Sequence, residues 1–223
     1  MRTPLTYDPQ TRRVAIFKGL ICQEYCAGMA RRLRSRGRFL FANTDVEHWS
    51  WLVPQLDVIG TEVNFFTTGE WKPLGHADLL FRRAICAKKP FAMFQTFDPK
   101  NYTQEMAERY FRVSLAYGMF PGFFSANGST GHYFSRPELY ERDRPLFKKY
   151  MPLCRKVAEA GWRPVNRLVA TDAPRMVVEQ FGTVPGARYV TVFNLEGQAR
   201  TIRFTRLVKD ATRETTPELV TGE

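Results

Sequence analysis

The spacing of apolar residues along the chain changes near residue 161. Before that point, short apolar runs alternate with longer segments in which apolar residues recur every three to four positions. This pattern predicts buried strands that alternate with amphipathic helices. A loop is predicted over 1–13. The predicted strands are 38–44, 57–64, 90–97 and 119–129. The predicted helices are 14–36, 45–56, 76–89, 103–118 and 136–161, the last kinked or divided by Pro145 and Pro152.

After residue 161 the apolar residues alternate with polar ones, as in YVTVFN at 189–194 and TIRFTRL at 201–207. Strict alternation is typical of half-buried antiparallel strands. The sequence therefore predicts an α/β unit over 1–161, an antiparallel β module over 162–207 and a polar, frayed tail over 208–223. In the α/β unit, alternating strands and helices predict parallel strands joined by right-handed crossovers. A doubly wound sheet and a (β/α)₈ barrel are the two standard architectures of this kind.

Composition narrows the class of protein. The chain has 223 residues, of which 44% are hydrophobic and 25% are charged, and these values exclude collagen-like and wholly disordered chains. No apolar run is long enough for a transmembrane helix, so no membrane partner is expected. The first residues lack the apolar core of a secretory signal, which leaves the compartment open and the cytoplasm as the default. Four scattered cysteines predict buried free thiols, and isolated histidines predict neither a metal nor another cofactor.

The formal net charge of +11 raises the question of a nucleic-acid partner. The densest basic cluster, RRLRSRGR at 31–38, falls at a predicted helix C-terminus, where cations complement exposed carbonyl groups. The basic residues of 136–149 alternate with acidic ones at helical spacing. The sequence carries no zinc-finger spacing, basic heptad region or RNP-like strand. A nucleic-acid partner is therefore not expected, although a basic interaction protein remains the least favoured alternative.

Polar side chains collect where each predicted parallel strand ends. In both α/β architectures, ligands bind outside the carboxyl ends of the strands. No glycine-rich phosphate loop and no Gly-x-Ser-x-Gly elbow follows any strand, which argues against nucleotide binding and serine hydrolysis. The substrate-binding candidates at these ends and in the following loops are Asn43, Asp45, Asn64, Gln95, Asp98, Asn127, Trp49 and Trp71.

Four segments together resemble a known family. They are ANTD at 42–45, DVIGTEVNF at 57–65, PFAMFQTFD at 90–98, and YGMFPGFFSANGSTGHYFSRPELYERDRPLFKKYMPL at 117–153. They resemble the C-terminal half of a bacterial glycoside-hydrolase-like (β/α)₈ barrel, of the clan D and endo-α-N-acetylgalactosaminidase type, over residues 10–205. The β module resembles the small β-sandwich that follows such barrels. The resemblance implies a carbohydrate substrate and hydrolysis of an O-glycosidic bond.

The resemblance also implies that half of the barrel is absent. Only four strand–helix units are predicted, where a (β/α)₈ barrel has eight. The nucleophilic carboxylate of such enzymes would then lie before Met1, so we expect a fragment, a truncated product or half of an assembly. Unpaired outer strands invite association, so a second copy or a complementing chain is an expected partner. A carbohydrate-binding protein without catalysis is the alternative function.

The resemblance implies an acid/base role for Glu62, because glycoside hydrolysis uses a pair of carboxyl groups. The alternative is a structural salt bridge from Glu62 to Arg82 or Arg83. The other candidates have structural alternatives too: Asp45 as a helix N-cap, Asp98 as a turn residue, the amides as loop braces and the tryptophans as packing residues.

Overall fold

A computed structural model describes residues 5–44, 48–65, 70–97, 101–125, 132–164, 168–170, 175–183, 188–195, 199, 201 and 204–206. The strands are β1 Leu5–Asp8, β2 Arg13–Ile16, β3 Phe41–Asn43, β4 Val58–Val63, β5 Phe91–Phe97, β6 Phe120–Ser125, β7 Trp162–Arg163, β8 Leu168–Ala170, β9 Met176–Phe181, β10 Tyr189–Asn194 and β11 Phe204–Arg206. The helices are α1 Lys18–Arg34, α2 His76–Cys86, α3 Gln104–Ala116 and α4 Pro137–Ala160, with 3₁₀ helices at Ser50–Gln55 and Tyr133–Ser135. Within the described parts of the chain, no helix combines the length and apolar character needed to cross a bilayer.

The centre of the fold is a parallel sheet of four strands in the order β3-β4-β5-β6. Each strand pairs with the next one along the chain, and the intervening segments are helical, as the alternating pattern predicts. The α/β class is therefore confirmed. The register places Gly60 opposite Ala92 and Phe94 opposite Gly122.

One face of this sheet is buried beneath the helices. Ile59, Met93 and Phe123 point to it and are buried in the main core. The helices reach this face with polar groups as well. Arg82 of α2 donates to Thr61 Oγ1 at 3.0 Å, and the Tyr110 hydroxyl of α3 donates to the Met93 carbonyl at 2.7 Å.

The opposite face of the sheet, which we call the open face, is less buried in the described structure: Phe41 and Glu62 are exposed, and Phe94 and Phe124 are half-buried. Side chains alternate between the faces of a strand, so the second face carries Phe41, Glu62, Phe94 and Phe124. Phe41 is 47% exposed. The rings of Phe41 and Phe94 pack edge to face with centroids 5.8 Å apart. A parallel sheet with one open face is unusual, because such sheets are normally covered on both sides.

The N-terminal region departs from the sequence-based prediction. Residues 5–16 form an antiparallel hairpin in which Leu5 pairs with Ile16 and Tyr7 with Val14, where a loop and the start of a helix are expected. These four apolar side chains are all exposed. Helix α1 therefore begins at Lys18 rather than at residue 14. The prediction missed the hairpin because its two strands are only four residues long, too short for a clear alternation.

Helix α4 is continuous over 24 residues although it contains Pro145 and Pro152. The predicted division at these prolines is wrong. Each proline removes one backbone hydrogen bond, but Leu146, Tyr150 and Cys154 on the same helix are buried and hold it against the core.

The antiparallel module is confirmed as a three-stranded sheet in the order β10-β9-β7, with β8 and β11 forming a separate pair. It packs against the C-terminal end of α3, where Thr191 Oγ1 donates to the Ala116 carbonyl at 2.6 Å. Phe181 lies against Gly118, whose φ of +63° and lack of a side chain accommodate the ring. The predicted tail at 208–223 lies outside the described residues.

A buried carboxylate lies in this junction. Glu179 of β9 accepts a hydrogen bond from Trp162 Nε1 at 2.7 Å, and His76 and Tyr117, themselves 2.8 Å apart, are the other titratable groups near it. Burial raises the pKa of Glu179 above its ordinary value of 4.5, although the Trp162 hydrogen bond and His76 oppose the shift. A raised pKa means that the folded protein holds the proton more tightly than the unfolded chain does.

We therefore predict that Glu179 contributes stability below pH 4.5 and that this contribution is lost as the pH rises through its folded-state pKa. Glu179→Gln keeps an acceptor for Trp162 and removes the buried charge. The variant should unfold at a higher temperature than the wild type at neutral pH and at an equal temperature in acid. Thermal unfolding measured across pH checks this, and a variant that is less stable at neutral pH would show that the carboxylate is favourable.

Candidate functional site

The carboxyl ends of β3 and β4 bring two of the candidate residues together. The Asn43 side-chain amide donates to Glu62 Oε1 at 2.7 Å. Asn43 lies opposite Gly60 in the sheet register, so Glu62, two residues further on, projects from the same open face. Both side chains are exposed. The site is a solvent-accessible carboxylate oriented by an amide at the end of a parallel sheet.

The salt bridge proposed as the alternative for Glu62 does not form. Arg82 points to the covered face, where it binds Thr61. Arg83 is buried and donates to the carbonyls of Gly118 and Ala87. Within the described residues, Asn43 is the one hydrogen-bonding partner of the Glu62 carboxylate. The acidic oxygen is thus not neutralised by a fixed cation.

Gly60 allows two phenylalanine rings to pack closely against the backbone of β4. A Cβ atom there would lie 2.7 Å from a ring carbon of Phe94 and 2.8 Å from one of Phe41. Gly122 has the same role, because a Cβ atom would lie 2.7 Å from the Phe94 ring. The apolar floor of the open face is therefore built from aromatic rings laid over glycines, with Glu62 at its carboxyl edge.

Gln95 does not join Asn43 and Glu62. It is fully buried on the covered face, where its Oε1 accepts from the Phe65 backbone N–H at 3.0 Å. Its amide nitrogen donates to the Thr96 carbonyl. These contacts correspond to the alternative in which the amide braces the loop after β4. Asn64, by contrast, is exposed just beyond the end of β4.

Both candidate tryptophans are half-buried and in contact with other aromatic rings. Trp49 packs against Trp51 with centroids 5.4 Å apart, and Trp51 in turn closes over Gly19 of α1. Trp71 packs edge to face on Phe65 at 5.5 Å and lies beneath the Arg109 guanidinium at 4.9 Å. These contacts give each indole a packing role.

The remaining candidates, Asp45, Asp98 and Asn127, lie outside the described residues.

A buried ionic network near the carboxyl edge of the parallel sheet is not predicted by the sequence. Asp143 of α4 is fully buried and accepts from Arg142 Nε at 2.7 Å and from the Tyr133 hydroxyl at 3.0 Å. Arg142 also donates to the Tyr102 carbonyl at 2.8 Å. The network ties α4 to the segments that follow β5 and β6. In the sequence, Arg142 and Asp143 look like ordinary members of a charged helix surface.

The two buried thiols and Tyr133 do not suit proton transfer near neutral pH. Burial raises the pKa of Cys86 to about 11 and that of Cys154 to about 12, so both thiols stay protonated. Burial and the neighbouring Asp143 also raise the pKa of Tyr133. In the described part of the chain, no three His, Cys, Asp or Glu side chains converge as metal ligands would. Of the candidate carboxylates Asp45, Glu62 and Asp98, Glu62 is the one that the structure describes, and it is exposed.

Comparison with known proteins gives no match: no family model, no curated protein and no solved structure is significantly similar to this chain. Function therefore has to be argued from the residues and the geometry.

Replacing Asp143 should be much more damaging than replacing an exposed acid of the same helix. Asp143→Ala removes the buried carboxylate that accepts from Arg142 and from the Tyr133 hydroxyl, and we expect the free energy of unfolding to fall by about 3 kcal/mol. The matched control is Glu159→Ala, which removes an exposed i,i+4 pair with Arg155 and should cost about 0.4 kcal/mol. Urea unfolding measures both, and equal losses would contradict a special role for Asp143.

Proposed function

We propose that this chain forms half of a glycoside-hydrolase-like (β/α)₈ barrel and that Glu62 is its general acid/base. The single observation that carries the proposal is the hydrogen bond from Asn43 to Glu62 on the open face, at the carboxyl edge of the parallel sheet. Active sites of (β/α)₈ barrels lie at that edge and are built from side chains at the strand ends.

The distribution of helices supports a barrel over a doubly wound sheet. A doubly wound sheet has helices on both faces, whereas a barrel has all its helices outside and its strands' inner side chains packed together. Here the covered face supplies the helix-side core, and the open face carries Phe41, Phe94 and Phe124 in the position of barrel-interior side chains. The strand order, which follows the chain without a switch, fits the same architecture.

Glu62 supplies one of the two groups that glycoside hydrolysis needs. As an acid it would donate a proton to the glycosidic oxygen while the bond to the anomeric carbon breaks, and as a base it would later take a proton from water. The second carboxylate belongs, on this proposal, to the polypeptide that covers the open face. Asn43 holds Glu62 in position.

The proposal can be tested on this chain alone, because azide can replace the second carboxylate as nucleophile. Azide would attack the anomeric carbon of a 4-methylumbelliferyl glycoside, and the aryl oxygen would leave with the proton of Glu62. We expect azide-dependent release of the fluorophore from at least one member of a panel of such glycosides. Glu62→Gln should lower the release, since the departing aryl oxygen then receives no proton from residue 62.

The matched control for Glu62→Gln is Glu70→Gln, an exposed glutamate paired with Lys72 that should leave the rate unchanged. Equal rates for wild type and Glu62→Gln would contradict the acid/base role. Binding of a glycan from the same panel, with no release under any condition, would favour the alternative of a carbohydrate-binding protein without catalysis.

The open face also predicts association of the isolated chain. Each phenylalanine side chain left in water forgoes roughly 2 kcal/mol of burial free energy, and the outer edges of β3 and β6 offer unpaired backbone groups. We expect sedimentation velocity to show concentration-dependent self-association that Phe41→Ser weakens. A sharp monomer at every concentration, with cooperative unfolding, would contradict this expectation.

A further inference from the structure

A basic surface lies where α1 ends, before the first strand of the parallel sheet. It comprises Arg31, Arg32, Arg36, Arg38 and Phe39, which we call the arginine surface, and all five residues are exposed. Phe39 is 79% exposed, more than any other large apolar residue of the described chain. A phenylalanine so exposed, directly after four exposed arginines in the sequence, requires an explanation.

The helix terminus does not use these arginines. The carbonyls of Arg31, Leu33 and Arg34 accept from the backbone N–H groups of Ser35, Arg38 and Gly37, at 2.8–3.1 Å. The Arg32 carbonyl accepts from Ser35 Oγ at 3.0 Å. Gly37 has a φ of +64°, which permits this turn. Backbone N–H groups and one serine therefore satisfy the carbonyl groups of the last turn. The guanidinium groups interact weakly and favourably with the helix dipole and remain available to bind a ligand.

The arginine surface differs from the other basic positions on helices. Arg112, Arg144 and Arg155 each bind a glutamate one turn away. Within α1, Arg34 alone is engaged, through Asp57 at 2.8 Å and the Gln55 carbonyl at 3.1 Å. Across the described residues, the guanidinium groups of Arg31, Arg32, Arg36 and Arg38 form neither a salt bridge nor a hydrogen bond. Four unneutralised cations within eight positions create a local field that attracts anions.

We propose that the arginine surface binds an anionic polysaccharide, with the guanidinium groups contacting carboxylate or sulfate groups and Phe39 lying against the apolar face of a sugar ring. Guanidinium groups match planar anions bidentately, and aromatic rings offer large contact area at low entropic cost. The inference rests on the proposed function, which makes a carbohydrate the expected ligand. A single ring fits a polysaccharide better than a single-stranded nucleic acid, which uses several stacking side chains.

This surface is separate from Glu62. Helix α1 leads into the amino end of β3, whereas Asn43 and Glu62 stand at the carboxyl ends of β3 and β4. The arginine surface would therefore hold a polymer away from the reacting bond rather than take part in catalysis.

The test measures binding of fluorescein-labelled oligogalacturonate by fluorescence anisotropy. We expect Arg36→Gln/Arg38→Gln to raise the Kd about tenfold, since removing two exposed charge contacts costs roughly 1.4 kcal/mol. Phe39→Ala should also weaken binding. The matched control is Arg144→Gln/Arg155→Gln, which removes the same charge from arginines already paired with glutamates and should leave the Kd within about twofold.

Equal losses in the two double variants would overturn the proposal, because net charge alone would then explain binding. Tighter binding of a thymidine oligonucleotide through the same residues would overturn it in favour of a nucleic-acid partner, as would equal binding of labelled neutral dextran. The outcome is independent of Glu62: Glu62→Gln should bind oligogalacturonate as the wild type does. A failure of the proposed catalysis is thus distinguishable from a failure of this surface.

Discussion

The parallel sheet β3–β6 is buried more deeply on one side than on the other, and the functional account depends on this asymmetry. The helices bury Ile59, Met93 and Gln95 on one face, while Phe41, Phe94 and Glu62 share the other. Parallel strands are stable when both faces are covered, because their side chains are apolar on both. In the proposed function, the rest of a barrel supplies a further layer over the open face.

The position of Glu62 follows from the alternation of side chains between the two faces of β4. It lies opposite Phe94 in the register, on the open face and at its carboxyl edge, with Asn43 beside it. The arginines that could have neutralised it lie on the covered face and bind a hydroxyl group and backbone carbonyls instead. In the described structure the Glu62 carboxylate is therefore held by a neutral amide and not by a cation. These are the features that distinguish a candidate acid/base from a structural ion pair.

The sequence predicts the order of the parallel strands and helices well, because the spacing of apolar residues differs between the two kinds of element. It cannot tell which face a residue occupies in a strand that is apolar throughout. From the sequence, Glu62 is the catalytic candidate and Gln95 a substrate-binding candidate, yet the first is exposed on the open face and the second is fully buried beneath the helices. The N-terminal hairpin was missed because its strands are short. The buried pair of Arg142 and Asp143 was missed because only tertiary packing distinguishes it from surface charges.

The measurement that tests the central claim most directly is hydroxyl-radical footprinting of the dilute monomer. It reports the solvent access of individual aromatic and sulfur-containing side chains. The account predicts faster modification of the exposed Phe41 and the half-buried Phe94 on the open face than of the buried Phe91, Met93 and Phe123 on the covered face. Equal protection of both sets in the monomer would contradict it, because the open face would then already be covered by this chain itself.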